Sequence, residues 1–122
     1  MHKIELEYII NSTHKILFYK ISTPFGLQEW FADKITNQDD VFAIYWHKTQ
    51  NLAKITNNDL DEVQIFWVDD KEKSPLVLSI KKTEITNELI LSVTDFYEDD
   101  ESEIIDFWNL KIEKLRTILG AR

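Results

Sequence analysis

The chain has 122 residues, of which 43 % are hydrophobic and 30 % charged, a formal charge of −8, and no cysteine. That is one domain of ordinary globular composition, expected to span residues 1–122, and not a disordered chain. The acidity argues against nucleic acid, whose phosphates need a basic face, and against anionic membrane surfaces; the missing cysteines exclude disulfides, thiol nucleophiles and thiolate metal sites.

The opening MHKIELEYII has no apolar run of signal-peptide length, and no later stretch reaches the roughly 18 apolar residues of a membrane helix. A cytoplasmic location is therefore expected. Within residues 3–10, Ile4, Leu6, Tyr8 and Ile10 alternate with Lys3, Glu5 and Glu7, the period of a half-buried strand. Asn11 and Ser12 follow as capping residues, and a helix is predicted over roughly 13–21.

The next stretch, STPFGLQEWFAD, holds a Pro, a Gly, a Trp and two Phe. Thr23 suits an N-cap and Pro24 the first helical position, where its missing N–H is not needed. Leu27, Trp30 and Phe31 fall at i, i+3 and i+4 and share one face. A short amphipathic helix that buries its aromatics is predicted, although Gly26 costs a helix interior about 1 kcal/mol.

From about 41 to 96 strands follow one another. They are predicted at Val41–Trp46, Leu52–Thr56, 63–68, 76–81 and a last one opened by Asn87. The turns between them are placed at Thr49–Asn51, Asn57–Asp59 and Asp69–Pro75. Short connections of this kind make an antiparallel meander. A long helix is predicted over about 100–119, acidic at its start and basic in its last turns, as the helix dipole favours. Ile104, Trp108, Ile112, Leu115 and Leu119 form its apolar stripe, and Gly120 suits the left-handed position after it.

An antiparallel sheet must cover its apolar face, and this helix is the natural cover. The fold class is thus α+β: about six strands curved around a long C-terminal helix, with two short helices after the first strand. Three stretches resemble the START-like, helix-grip (SRPBCC) superfamily: INSTHKILFYKISTPFGLQEWFAD with its Leu27, Trp30 and Phe31, VQIFWVDD, and LSVTDF followed by an acidic linker and FWNLKIEKLRTILG. The resemblance spans nearly the whole chain. It is nearest to small bacterial START-like proteins of unassigned function and, more distantly, to homologues of the heat-shock ATPase activator. Many of those homologues carry a Gly-Gly turn where this chain reads TNQDDVF.

The resemblance implies a hydrophobic small molecule or lipid held between sheet and C-terminal helix. The residues themselves supply an apolar interior. On that basis the candidate ligand-binding residues are Leu6, Tyr8, Trp30, Phe31, Trp67, Leu78, Leu91, Asp95, Trp108, Ile112 and Leu115. No catalytic residue, metal or cofactor is assigned. His2, His14 and His47 lack metal-ligand spacing. The pairs Asp39-Asp40, Asp69-Asp70 and Asp99-Asp100 lack the alternating oxygens and Gly of a calcium loop. There is no nucleophile elbow and no phosphate loop.

Two alternatives stay open. One is an interaction module with a filled core, which contacts partners through YEDDESE or through Val41–Trp46. Both faces of that strand are apolar, and a second copy would cover one of them. The other is a cyclase- or hydrolase-like enzyme, which requires a buried group with a displaced pKa, with Asp95 and Tyr8 as its candidates.

Overall fold

In the computed structural model, residues 1–57, 59, 61–70 and 74–120 are described. The order is β1 (His2–Ile10), α1 (His14–Ser22), α2 (Pro24–Trp30), β2 (Lys34–Gln38), β3 (Val41–Trp46), β4 (Thr49–Asn57), β5 (Glu62–Trp67), β6 (Leu76–Lys82), β7 (Leu89–Tyr97) and α3 (Glu101–Ile118). The strands form one antiparallel sheet in the order β1-β7-β6-β5-β4-β3-β2. The last strand thus returns to the first, and β1 and β2 are the edges.

The sheet has seven strands against the expected six. The extra one is β2, KITNQ, in which only Ile35 is apolar and only Ile35 is buried. Strand period is invisible with one apolar residue; pairing with β3 makes the strand. The hairpin joining the two turns at Asp39, with a φ of 57°. Asp tolerates the left-handed region better than most residues, so the turn needs no glycine. The next turn lies at His47 and Lys48, not at Thr49–Asn51, because His47 takes the left-handed conformation (φ 55°) and frees Thr49 to pair with Trp46. Asn57 belongs to β4, Asn58 lies outside the described residues, and Asn87, at φ 60°, precedes the last strand.

Within the stretch 22–33, Pro24–Trp30 is a helix, and Trp30 and Phe31 are buried by it. Thr23 caps it by accepting the Gly26 N–H at 2.9 Å. Leu27, Trp30 and Phe31 are buried, while Phe25 stays 76 % exposed on the far side. Gly26 is there for space: a Cβ would sit 2.3 Å from the Tyr19 carbonyl oxygen and 2.7 Å from the Lys20 Cα. α1 is capped by Thr13, not by Asn11 or Ser12, since only Thr13 stands three residues before the free Ile16 N–H that its hydroxyl accepts, at 3.2 Å. α3 is capped by Asp100, and Gly120 follows its end at φ 71°.

Candidate functional site

α3 lies against the concave face of the sheet. Trp108, Ile112 and Leu115 are buried there, with Ile104 and Leu119 half-buried at the ends of the same stripe. Across from them β1, β7, β6 and β5 present one inward row each. The pairs Leu6–Val93, Tyr8–Leu91, Leu78–Val93 and Val63–Leu78 are directly opposite and share a face.

The space between α3, α2 and the sheet is filled by aromatic rings. Phe31 stacks on Trp108 with centroids 5.6 Å apart, and Trp30 lies 5.8 Å from Phe31 and 6.3 Å from Trp108. The run continues outward through Trp46, 5.0 Å from Phe31, to Phe107 and Trp67, each 5.9 Å from Trp46. Trp30, Phe31 and Trp108 are buried, while Trp46, Trp67 and Phe107 are half-buried at the margin. The Trp30 and Trp46 indoles donate to the carbonyls of Lys20 (2.9 Å) and Phe31 (2.6 Å).

The third donor, Trp108 Nε1, donates to Asp95 Oδ2 at 2.9 Å, and Asp95 Oδ1 accepts the Phe96 N–H at 2.8 Å. Asp95 does point inward, as its phase with Leu89, Leu91 and Val93 requires. Burial pushes its carboxyl above the ordinary carboxylate value, opposed by the hydrogen bonds from Trp108 and Phe96. Both oxygens are engaged, and Asp95 ties the middle of α3 to β7.

A cleft of about 530 Å³ opens on the other flank of α3, beside β1. Tyr8 and Ile112 form its floor and Leu110, which is 71 % exposed, stands along it. The polar groups are Asp106, Asn109, Glu113 and Arg116. The Tyr8 hydroxyl donates to Asn109 Oδ1 at 2.9 Å, and Arg116 donates from Nη2 (2.7 Å) and Nε (3.3 Å) to the Ile9 carbonyl. Burial raises the Tyr8 pKa, with Arg116 acting against it, so Tyr8 is a neutral hydroxyl at pH 7.

Of the eleven candidate residues, Trp30, Phe31, Leu78, Leu91, Trp108, Ile112 and Leu115 are brought together in the packed interior. Leu6 and Tyr8 lie against it from β1. Trp67 also borders an apolar groove of about 320 Å³ with Phe66, Val68 and Pro75. Asp95 borders an acidic groove of about 430 Å³ with Glu98, Asp99, Asp100 and Glu103. Tyr8 and Ile112 alone of the eleven reach the β1–α3 cleft. Sequence reasoning missed Asn109, Leu110 and Arg116, which stand off the apolar stripe. The one available signal was Leu110, an apolar residue on the polar side of the helix.

The histidines are separate. His14 Nε2 lies 2.6 Å from Asp61 Oδ1, His2 packs on Tyr97, and the His47 N–H donates to Asp33. Among the described residues no three His, Asp or Glu gather to hold a metal, and no helix is long and apolar enough to cross a membrane.

A sequence profile of the START-like superfamily domain matches residues 1–121. The chain belongs to the START-like superfamily. Solved structures agree in fold. The Aha1 dimer from Colwellia psychrerythraea is 14 % identical with a TM-score of 0.76, covering 98 % of this chain and 96 % of its own. XoxI from Bacillus cereus is 8 % identical at a TM-score of 0.77, with the same coverage. A protein of the dynemicin biosynthetic locus, DynU16, is 9 % identical at 0.71, covering 97 % of this chain and 47 % of its own. No curated protein matches the sequence. Within this superfamily fold the β1–α3 cleft and the acidic groove beside Asp95 and Phe107 open between the sheet and the closing helix.

Proposed function

We propose that this START-like protein is a non-catalytic binder of a hydrophobic small molecule or lipid, held between the sheet and α3. The observation that carries this reading is the β1–α3 cleft. Its size lies within the few hundred to a thousand Å³ usual for ligand sites. Its apolar floor and flank, Tyr8, Ile112 and Leu110, meet a few polar groups at fixed positions, Asn109 and Arg116. Ile112 belongs to the core on its other side, so the cleft is one side chain from Trp108 and the packed rings. The ligand lies with its apolar body on Leu110 and Ile112. Its polar end meets Arg116 and the Tyr8–Asn109 pair. Leu6 and the buried aromatics support the floor.

Native mass spectrometry of gently purified protein, with solvent extraction of what co-purifies, tests the reading. A stoichiometric adduct of a few hundred daltons is expected, together with displacement of a fluorescent fatty acid. Leu110→Glu, an exposed substitution, is expected to weaken that probe at least tenfold with an unchanged melting curve. A clean apo mass with no probe binding overturns the reading.

The interaction module is the second reading. The filled interior and the exposed Phe66 and Val68 on the convex face favour it, and the Colwellia neighbour is described as a dimer. The enzyme reading keeps the raised pKa values of Asp95 and Tyr8, but both groups hold structural hydrogen bonds.

A further inference from the structure

β1 is an edge strand nine residues long, paired among the described residues on one side only, with β7. The Ile9 carbonyl is taken by Arg116 from α3 and so points away from β7. Backbone groups alternate sides along a strand, so Lys3, Glu5 and Glu7 also turn their N–H and C=O to the open edge. Such an edge is a template for another strand, and charged side chains ordinarily keep it unpaired. Here the order of the charges, Lys3-x-Glu5-x-Glu7, can serve a partner with the same order.

We propose that this protein dimerises by antiparallel pairing of β1 with β1 of a second copy, about a two-fold axis at Ile4. The register follows from charge. Residues with outward backbone groups must face one another. Placing Lys3 opposite Lys3 repels. Placing Glu5 opposite Glu7 repels twice. Placing Glu5 opposite Glu5 also sets Lys3 opposite the partner's Glu7, but it repels at the axis and draws in Ile9, whose carbonyl is already occupied. Placing Lys3 opposite the partner's Glu5 gives two opposite-charge pairs related by the axis, with Ile4 beside the partner's Ile4 on the inner face.

Each such pair exchanges two backbone hydrogen bonds, and cross-strand opposite charges favour the register. Lys3 and Glu5 already lie 3.4 Å apart within one strand, so the dimer exchanges an exposed local contact for one across the interface. The whole chain carries a charge of −8, which opposes association at any surface, and on β1 the two Lys3–Glu5 pairs offset it locally. Arg116 closes the C-terminal end of the edge, and the paired stretch stops before Tyr8. The cleft therefore stays open, and the inference does not rest on the ligand reading.

Sedimentation equilibrium from 10 to 500 µM tests it, with Lys3→Glu, Glu5→Lys and the double exchange. The wild type is expected to dimerise within that range. Each single variant is expected to weaken the dimer at least tenfold, and the double exchange to restore it. Glu5→Pro removes an outward N–H, which an edge strand tolerates in the monomer, and is expected to abolish dimerisation with an unchanged circular dichroism spectrum. A wild type monomeric at 500 µM overturns the proposal. So does a dimer that the single variants leave intact, which would place the contact on another surface such as the Phe66–Val68 face.

Discussion

α3 has two flanks that differ in nearly every physical respect. Toward α2 and the inner sheet it is dry: Trp108 is stacked on Phe31, hydrogen-bonded to Asp95 and fully buried. Toward β1 it is wet: Leu110 is exposed, and Asn109 and Arg116 reach across a cleft to Tyr8 and the Ile9 carbonyl. The first flank holds the fold together. The second is tied by polar contacts at the surface, each worth about 1 kcal/mol or less, and can change occupancy without unfolding the protein. One helix thus separates stability from binding by face.

That division can be broken from either side. The largest effect is expected from Trp108→Ala, which removes a buried ring from the centre of the run and should cost about 3–5 kcal/mol in urea unfolding. Gly26→Ala should come next. In an ordinary helix it would stabilise, but here the added methyl meets the backbone of α1 at 2.3 Å. A loss of about 1–3 kcal/mol is expected, as for overpacking, and a gain would show that α1 and α2 can part freely.

Asp95 sharpens the comparison through pH. Asp95→Ala leaves the Trp108 N–H without its acceptor and should cost about 1–3 kcal/mol. Asp95→Asn removes the buried charge but offers one acceptor oxygen to two donors, the Trp108 and Phe96 N–H groups. The folded pKa of Asp95 is raised, so the native state binds the proton more readily than the unfolded chain. Its contribution to stability is greatest at low pH and falls as pH rises through the folded pKa. The advantage of wild type over Asp95→Asn should accordingly be largest near pH 4 and shrink as the pH rises toward 7. Denaturation curves at the two values would show it, and a pH-independent difference would contradict the assignment.

The smallest effect is expected at the cleft. Tyr8→Phe loses one half-exposed hydrogen bond and should change stability by at most about 1 kcal/mol, while weakening the fluorescent fatty acid severalfold. An equal loss on both measurements would mean that the cleft is only structure.

Much of this was legible in the chain. The alternation of Ile4, Leu6, Tyr8 and Ile10, the Thr23-Pro24 start and the stripe from Ile104 to Leu119 each name an element and its buried face. Phase alone placed Asp95 inward. β2 was not legible, because one apolar residue carries no period. Nor was the β1–α3 cleft, whose Asn109, Leu110 and Arg116 read as an ordinary solvated face.

The sequence by itself determined the class of fold, because hydrophobic period and capping are local and act within a few residues. It also determined which side of each long element would be dry. The tertiary structure decided what the dry sides do to one another. It fills the grip with rings from α2, α3 and β3, gives Asp95 to Trp108, needs a bare Cα at Gly26, and leaves β1 with a free edge. Those outcomes depend on distances between residues of different elements, which no local pattern encodes.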